Sequence, residues 1–337
     1  MHSYFNLFYK NNFCDMIYIT LNNSVNINEE GDGMEVFNYI YDGIGNTKIV
    51  HLPILDIPVY AKLELQNPGG SIKDRAALYM ITRAEQNKKL SKGGVIIEAS
   101  SGNQGAAAAM IGNAKGYKTI VTMSEKVSIE KQSVFKAYGA EIVLCKPSSD
   151  FNDPLHYYQV AKKLAQDTPG SYFLNQYFNL DNSDAHYYGI APEIDRQIGD
   201  HITHIFVALG SCGTGNGIAR YMKEYRAHIK VIGVDSVHGF LATNGNPKPY
   251  YLDGMGVDYQ TPFWDLSLFH DIVNIEDKEA HDVLKMLSRS YGMLVGPSSG
   301  GAVAGVLRYK DKFTKNDSVL TLFCDSGRNY LSKNYYS

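Results

Sequence analysis

The chain has 337 residues, of which 44% are hydrophobic and 20% charged. That excludes a disordered or collagen-like polypeptide and suits about two domains, or one large α/β unit, at roughly 100 to 200 residues per domain. Lys plus Arg total 32 against 35 for Asp plus Glu, and no basic run stands out; a nucleic-acid partner is not expected.

Residues 1–36 mix aromatics with Asn, carry one lysine, Lys10, and include the acidic stretch Glu29-Glu30-Gly31-Asp32. They lack the basic start and clean apolar run of a signal peptide and read as an N-terminal extension without an evident role. No run of about 18 apolar residues occurs, so no membrane span is expected. The four cysteines, Cys14, Cys145, Cys212 and Cys324, lie far apart with no CxxC pair. They suggest neither a disulfide framework nor a zinc site, and a reducing cytosol fits.

From residue 60 onward, strands and helices alternate. A glycine-rich turn at 67–70 leads into a helix with an apolar stripe through Ala77, Met80, Ile81 and Ala84. The next predicted elements are a strand at Val95–Ile97, a small-residue helix at Gly105–Ala114 and a strand at Thr119–Met123. A helix at Ser128–Tyr138, closed by Gly139, and a strand at Glu141–Leu144 follow. Later come a strand at Ile205–Leu209, a helix at Gly217–Ala227 and a strand at Val231–Val234. The helix Asp277–Tyr291 has Ala280, Val283, Leu284 and Leu287 on one face, and Ser318–Phe323 is a late strand. This alternation predicts an α/β fold of parallel sheets covered by helices on both faces.

Four loops carry possible chemistry. In Asn67-Pro68-Gly69-Gly70-Ser71-Ile72-Lys73-Asp74-Arg75, Lys73 stands at a helix start, where a cation opposes the helix dipole. Either it is a solvated surface lysine, or its pKa is lowered there as Schiff-base chemistry requires. Glu98-Ala99-Ser100-Ser101-Gly102-Asn103-Gln104-Gly105 follows a strand and offers a carboxylate or phosphate site at a helix N-terminus, or ordinary N-capping. Gly210-Ser211-Cys212-Gly213-Thr214-Gly215-Asn216-Gly217 packs four glycines into eight residues between strand and helix, which favours a phosphate nest over a flexible loop. It is neither GxGxxG nor a Walker A sequence. Gly296-Pro297-Ser298-Ser299-Gly300-Gly301 opens a helix; Ser298 could face a ring nitrogen without imposing charge, or cap the helix.

A dinucleotide site competes for the third loop. Asp235 lies about 20 residues beyond those glycines, where an NAD-binding fold places its ribose acid; an NAD-dependent dehydrogenase is therefore an alternative, although it leaves the loops at 67–75 and 98–105 unexplained. His201 and His204 have no third ligand placed with them and read as a polar loop before a strand, so no metal is expected. His186 is placed at a helix start as a structural residue.

Together the four loops resemble the fold-type II pyridoxal-phosphate (PLP) enzymes of the cysteine synthase and cystathionine β-synthase family. The resemblance runs from about Ile44 to Tyr330 through GGSIKDR at 69–75, SSGNQG at 100–105, SEKVSIEKQSVFKAYGAEIV at 124–143, NQYFN at 175–179, AHYYGIAPEI at 185–194 and DSGRNYLSK at 325–333. The stretch through Tyr177 and His186 and the Asp253-Gly254-Met255-Gly256 turn look closer to the cystathionine β-synthase catalytic core. The resemblance implies two three-layer α/β/α domains of the tryptophan synthase β-like type. A large PLP-binding domain would comprise 37–78 plus 182–337, and a small mobile substrate-loop domain 79–181.

The resemblance also implies roles. Lys73 would bind the cofactor as a Schiff base and, once freed, move the substrate α-proton. Asn103 would hydrogen-bond the ring oxygen. Gly210, Ser211, Cys212, Gly213 and Thr214 would hold the phosphate, and Ser298 would face the pyridine nitrogen and leave it largely unprotonated. Ser100, Ser101, Gly102, Gln104 and Gln176 would hold the amino-acid carboxylate, while Tyr177 and Gly256 line the entrance.

The implied reaction is β-replacement of L-serine or an O-activated serine by homocysteine or sulfide. The alternative within the same fold joins O-phosphoserine to an amine nucleophile such as glutamate. The expected partners are amino-acid substrates and a second copy of the chain, in the cytoplasm. Three departures stand out: Cys212 for a usual glycine, Gln104 for a usual threonine, and Asp253 for glutamate. With no recognisable haem pattern and an end at Ser337, a bare catalytic core without the tandem regulatory module is expected.

Overall fold

The computed structural model describes residues 24–27, 34–148, 150–257 and 259–337. The described residues up to Ile44 and those from Gly45 to Ser337 fall into two separate units. In the first, β1 (Ser24–Ile27) pairs antiparallel with β2 (Met34–Phe37), Ser24 opposite Phe37. The rest of the expected extension lies outside the described residues.

The second unit holds two sheets. One has six strands in the order β11-β10-β9-β12-β4-β3: β3 (Ile49–His51), β4 (Val59–Lys62), β9 (His204–Ala208), β10 (Lys230–Ser236), β11 (Asp271–Ile275) and β12 (Val319–Leu322). Only β3 runs antiparallel. The other sheet is fully parallel in the order β7-β6-β5-β8, from β5 (Val95–Ala99), β6 (Lys118–Ser124), β7 (Glu141–Cys145) and β8 (Ser171–Phe173).

Successive side chains on a strand point to opposite faces, and in the large sheet they enter two different cores. Phe206, Ile232, Val234 and Val319 pack with Ala280, Leu284 and Val303, whereas Ile205, Val207, Val231, Leu320 and Leu322 pack with Ile194, Ile218 and Met222. The small sheet divides likewise: Ile97 and Ile120 pack against Tyr158 and Ala161, and Val121 and Met123 against Ala109 and Phe135. Burial on both faces is why these strands read as nearly continuous apolar runs.

The α-helices among the described residues are α1 (Lys73–Gln86), α2 (Asn103–Ala114), α3 (Ile129–Ala137), α4 (Tyr157–Asp167), α5 (Asp181–Ala185), α6 (Ala191–Ile198), α7 (Gly213–Tyr225), α8 (Asp277–Tyr291) and α9 (Pro297–Arg308). The α1 stripe is buried, with Ala77, Met80 and Ile81 fully inaccessible. No helix among the described residues is long and apolar enough to cross a membrane.

Three local expectations are corrected. Helix α7 starts at Gly213 rather than Gly217 and α2 at Asn103 rather than Gly105, because the glycines and polar residues that read as loop form the first helical turn. His204 is the first residue of β9, 3% exposed, rather than part of a loop; its N–H donates to the Ser318 carbonyl at 3.0 Å, which extends the strand by one residue. His186, expected at a helix start, is the first residue of a π-helical turn (His186–Ile190) between α5 and α6.

Candidate active site

Four helices begin around one cavity. Lys73 and Asn103 are the first residues of α1 and α2, and Thr214 and Ser298 the second residues of α7 and α9; all four line it, with Gly210, Ser211, Cys212, Gly254, Cys324, Asp325 and Tyr330. The loops after β5, β9 and β12 supply most of these residues, so the cavity lies at the carboxyl ends of parallel strands, where open α/β sheets bind ligands. Helix starts leave backbone N–H groups unpaired and carry positive partial charge, so an anion is favoured here.

The turn before Lys73 is built by side chains. Gly70 has φ +83° and its N–H donates to the Asn67 carbonyl at 2.7 Å. The Asp74 carboxylate accepts the Gly69 N–H at 2.6 Å, and a Cβ at Gly69 would sit 2.5 Å from that carboxylate. Behind the helix start, Arg75 grips Glu64 (2.6 and 2.8 Å) and Glu193 (2.9 Å), while Lys62 meets Glu193 at 2.5 Å and the Thr47 carbonyl at 3.0 Å. Two buried cations thus face two buried carboxylates. Burial lowers the Lys73 pKa, against the opposing pull of Cys324, Glu98, Cys212 and Asp325. The solvated-lysine alternative does not describe this residue.

The glycine-rich loop between β9 and α7 is pinned on all sides. The Ser211 carbonyl accepts from Thr261 Oγ1 at 2.9 Å, and Asn182 Nδ2 lies 3.4 Å from Ser211 Oγ. Cβ atoms at Gly210 and Gly213 would meet the Gly254 carbonyl at 2.8 Å and the Asn182 carboxamide at 2.7 Å. Cys212 occupies the left-handed region at φ +67°, the conformation that a glycine adopts without strain. Thr214 Oγ1 lies 3.1 Å from His186 Nε2. Burial holds His186 well below the usual histidine range, with Lys73 and Arg75 adding to the effect, so the ring is neutral. No spacing in the sequence links His186 to residue 214.

Outside this cavity lies a second of about 240 Å³, which shares Lys73, Asn103, Gly210, Ser211, Gly254 and Tyr330 and is also lined by Ser100, Ser101, Gly102, Gln104, Gln176, Tyr177 and Gly256. Every predicted substrate residue therefore reaches one space next to the amine. Gln104 is 2% exposed and neither polar atom of its carboxamide has a partner, a costly condition that a polar ligand would relieve. Gly256, at φ +77°, donates its N–H to the Leu209 carbonyl at 2.7 Å and has no room for a Cβ beside the Tyr250 ring.

The sequence reading missed Cys324, Asp325, Tyr330, Tyr157, Tyr250 and Tyr259 as lining residues. Asp325 had a usable signal, being a polar residue just past the end of a buried parallel strand; the tyrosines had none. Asp253, noted as a departure and as the start of the turn at 253–256, ties down the C-terminal segment through Lys333 at 2.5 Å and Tyr335 at 3.1 Å. Asp235, the acid of the dinucleotide alternative, lies within β10 and takes the Ser236 N–H at 2.8 Å; it lines neither cavity.

Comparisons with known proteins agree with this geometry. The family described as pyridoxal-phosphate dependent enzyme matches residues 40–325. The chain is 37% identical to cystathionine beta-synthase of Saccharomyces cerevisiae over 87% of its own length, and spans 62% of that relative. It is 36% identical to a cysteine synthase of Helicobacter pylori, covering 90% of this chain and all of that one. A crystal structure of an O-acetylserine dependent cystathionine beta-synthase from Helicobacter pylori superposes with a TM-score of 0.84 at 35% identity, covering 90% of this chain and 100% of that one. O-Ureido-L-serine synthase superposes with a TM-score of 0.85 at 29% identity, covering 89% and 95%. These matches decide against the dehydrogenase.

The residues present suit the cofactor: an amine of lowered pKa, a glycine-rich helix start for the phosphate, and a neutral serine hydroxyl share one cavity. The chain belongs to the pyridoxal-phosphate dependent enzymes, in the cysteine synthase and cystathionine β-synthase family, and has the tryptophan synthase β-like fold.

Proposed function

We propose that the protein catalyses β-replacement on L-serine or an O-activated serine, with a thiol nucleophile, homocysteine or sulfide, giving cystathionine or cysteine. The observation that carries this reading is Lys73 opening at once onto the glycine-rich helix start and the Ser100–Gln104 loop. When bound, PLP supplies the electron sink for loss of the α-proton and the β-substituent.

The chain's own residues do the rest. The loop from Gly210 to Thr214 holds the phosphate with backbone N–H groups and the Ser211 and Thr214 hydroxyls. Neutral His186 orients the Thr214 hydroxyl. Ser298 meets the ring nitrogen with an uncharged hydroxyl, and Asn103 meets the ring oxygen. Ser100, Ser101, Gly102, Gln104 and Gln176 hold the substrate carboxylate. Lys73, discouraged from carrying charge by burial, takes the α-proton onto Nζ. Tyr177 and Gly256 border the path of the second substrate. In this reading the small lobe, residues 79–181, closes on the large lobe, 37–78 plus 182–337, and the enzyme is a cytoplasmic homodimer.

A second reading, O-phosphoserine joined to an amine nucleophile such as glutamate, is favoured by one observation: the unpaired, buried Gln104 carboxamide alters the hydrogen-bonding character of the carboxylate loop. One experiment separates the two. The PLP-loaded protein is offered serine, O-acetylserine and O-phosphoserine against sulfide, homocysteine and glutamate, and the product is identified by mass. A sulfur-linked β-substituted alanine supports the first reading and a nitrogen-linked one the second. If no pair yields a β-substituted alanine, both fail. The K73A protein should turn over none of them.

A further inference from the structure

We propose that Asp325 is a positioning residue that dictates which atoms of the Asn103 carboxamide face the cofactor. The inference rests on the reading of Asn103 as partner of the ring oxygen. Asp325 stands just past β12 and is 2% exposed; its Oδ2 accepts from Asn103 Nδ2 at 2.6 Å and from the Tyr330 hydroxyl at 2.6 Å. All three residues line the inner cavity.

Burial raises the Asp325 carboxyl pKa, and the hydrogen bonds from Tyr330 and Asn103 pull it back toward the ionised form; so held, the carboxylate only accepts hydrogen bonds, whereas a primary amide has a carbonyl on one side and two N–H groups on the other. Beside Asp325 the amide must turn its nitrogen to the carboxylate, since the reverse would set lone pairs against lone pairs. One N–H is thereby engaged, and the second remains for the ring oxygen, so Asn103 meets the cofactor as a donor.

The carboxylate is itself locked in place. The Asp325 carbonyl accepts the Gly296 N–H at 3.0 Å, and Asp325 bridges to Ser71. A Cβ at Gly296 would lie 1.9 Å from Asp325 Oδ1, although Gly296 has an ordinary φ of −75°. Glycine is required there by the carboxylate and not by the backbone. Asp325 Oδ1 has no partner, a cost to stability that fits a group held for what its other oxygen does.

The test compares wild type, N103A, D325N and G296A. Asparagine at 325 can present either a carbonyl or an N–H, so the Asn103 orientation becomes degenerate; alanine at 296 displaces the carboxylate without touching Asn103. Each purified protein is titrated with PLP, and both the dissociation constant and the ratio of the two visible bands of the loaded protein are recorded. The band ratio reports the proton near the ring oxygen, which a purely structural role would leave alone. If Asp325 acts through Asn103, D325N and G296A shift the ratio in the same sense as N103A and weaken PLP binding about tenfold, the scale of one lost charge-assisted hydrogen bond. A shift in N103A with D325N like wild type overturns the role of Asp325 and keeps that of Asn103. Wild-type ratios in all three variants overturn both.

Discussion

Arg75 holds Glu64 through two parallel hydrogen bonds, Nε to Oε2 at 2.6 Å and Nη2 to Oε1 at 2.8 Å, two residues beyond Lys73. Burial alone would raise the Glu64 pKa; Arg75 overrides it and keeps the carboxylate ionised. The pair fastens the first turn of α1 to the end of β4 and so fixes where the amine of residue 73 emerges.

R75M leaves Glu64 charged and without its main partner in the interior. Breaking a buried pair in this way costs about 3 to 5 kcal/mol, and R75K, which loses the planar fork but keeps the charge, should cost less. Denaturant unfolding of the apo-protein measures both; a loss below about 1 kcal/mol for R75M would contradict the argument.

Glu98 gives a pH dependence of definite sign. Burial pushes its carboxyl up to about 8, opposed by backbone N–H groups of Gln176 and Asn175 and by Lys73. Unfolded, it titrates near the ordinary value of about 4.3. Between those values the folded state binds more protons than the unfolded state, so this residue's contribution to stability falls as pH rises through that window and is fully lost above about 8. Melting curves at about pH 5 and about pH 9 should therefore show wild type losing more ground to E98Q at the higher pH. Equal losses in the two proteins would refute the assignment.

Cys212 at φ +67° pays the left-handed penalty of about 1 to 2 kcal/mol and recovers part of it by burying its side chain. C212G removes both effects and should change stability by less than about 1 kcal/mol. C212V keeps the burial but puts a β-branched residue in the least tolerant conformation, and should cost more than about 2 kcal/mol. Thermal melts of the two variants decide it; equal effects would show that the backbone at 212 is unstrained.

Gly217 lies where α7 presses on the π turn. A Cβ there would fall 2.4 Å from the Ser183 carbonyl, 2.7 Å from His186 Cβ and 2.8 Å from the Tyr187 nitrogen. Two of these atoms are backbone and cannot swing aside. G217A should lower stability by about 1 to 3 kcal/mol and weaken PLP binding, because the same displacement moves Thr214 away from His186. Crystallography or PLP titration of the variant would expose a site that tolerates the methyl group.

Periodicity was enough to read the alternation of strands and helices, because each element buries an apolar face with its own repeat. The α8 stripe through Ala280, Val283, Leu284 and Leu287 matches the helix from end to end. It failed where composition imitates a loop: the glycines at 213–217 and the polar start at 103 turned out to be helical turns. Buried polar structure also escaped it. Arg75 and Glu193 stand 118 positions apart and Asn103 and Asp325 stand 222 apart, so neither partnership leaves a local mark.

What the chain order by itself determined was the set of loops with chemistry to offer: a lysine at a helix start, a serine-rich turn, a glycine-rich cradle and a second serine turn, each placed after or before an element whose pattern is local. Only the folded sheets decided that these four lie around one cavity, that the lysine is desolvated, and that His186, Asp325 and Tyr330 belong with them. Hydrogen-bond direction and desolvation depend on neighbours that approach through space, and parallel strands far apart in sequence bring those neighbours together at their carboxyl ends.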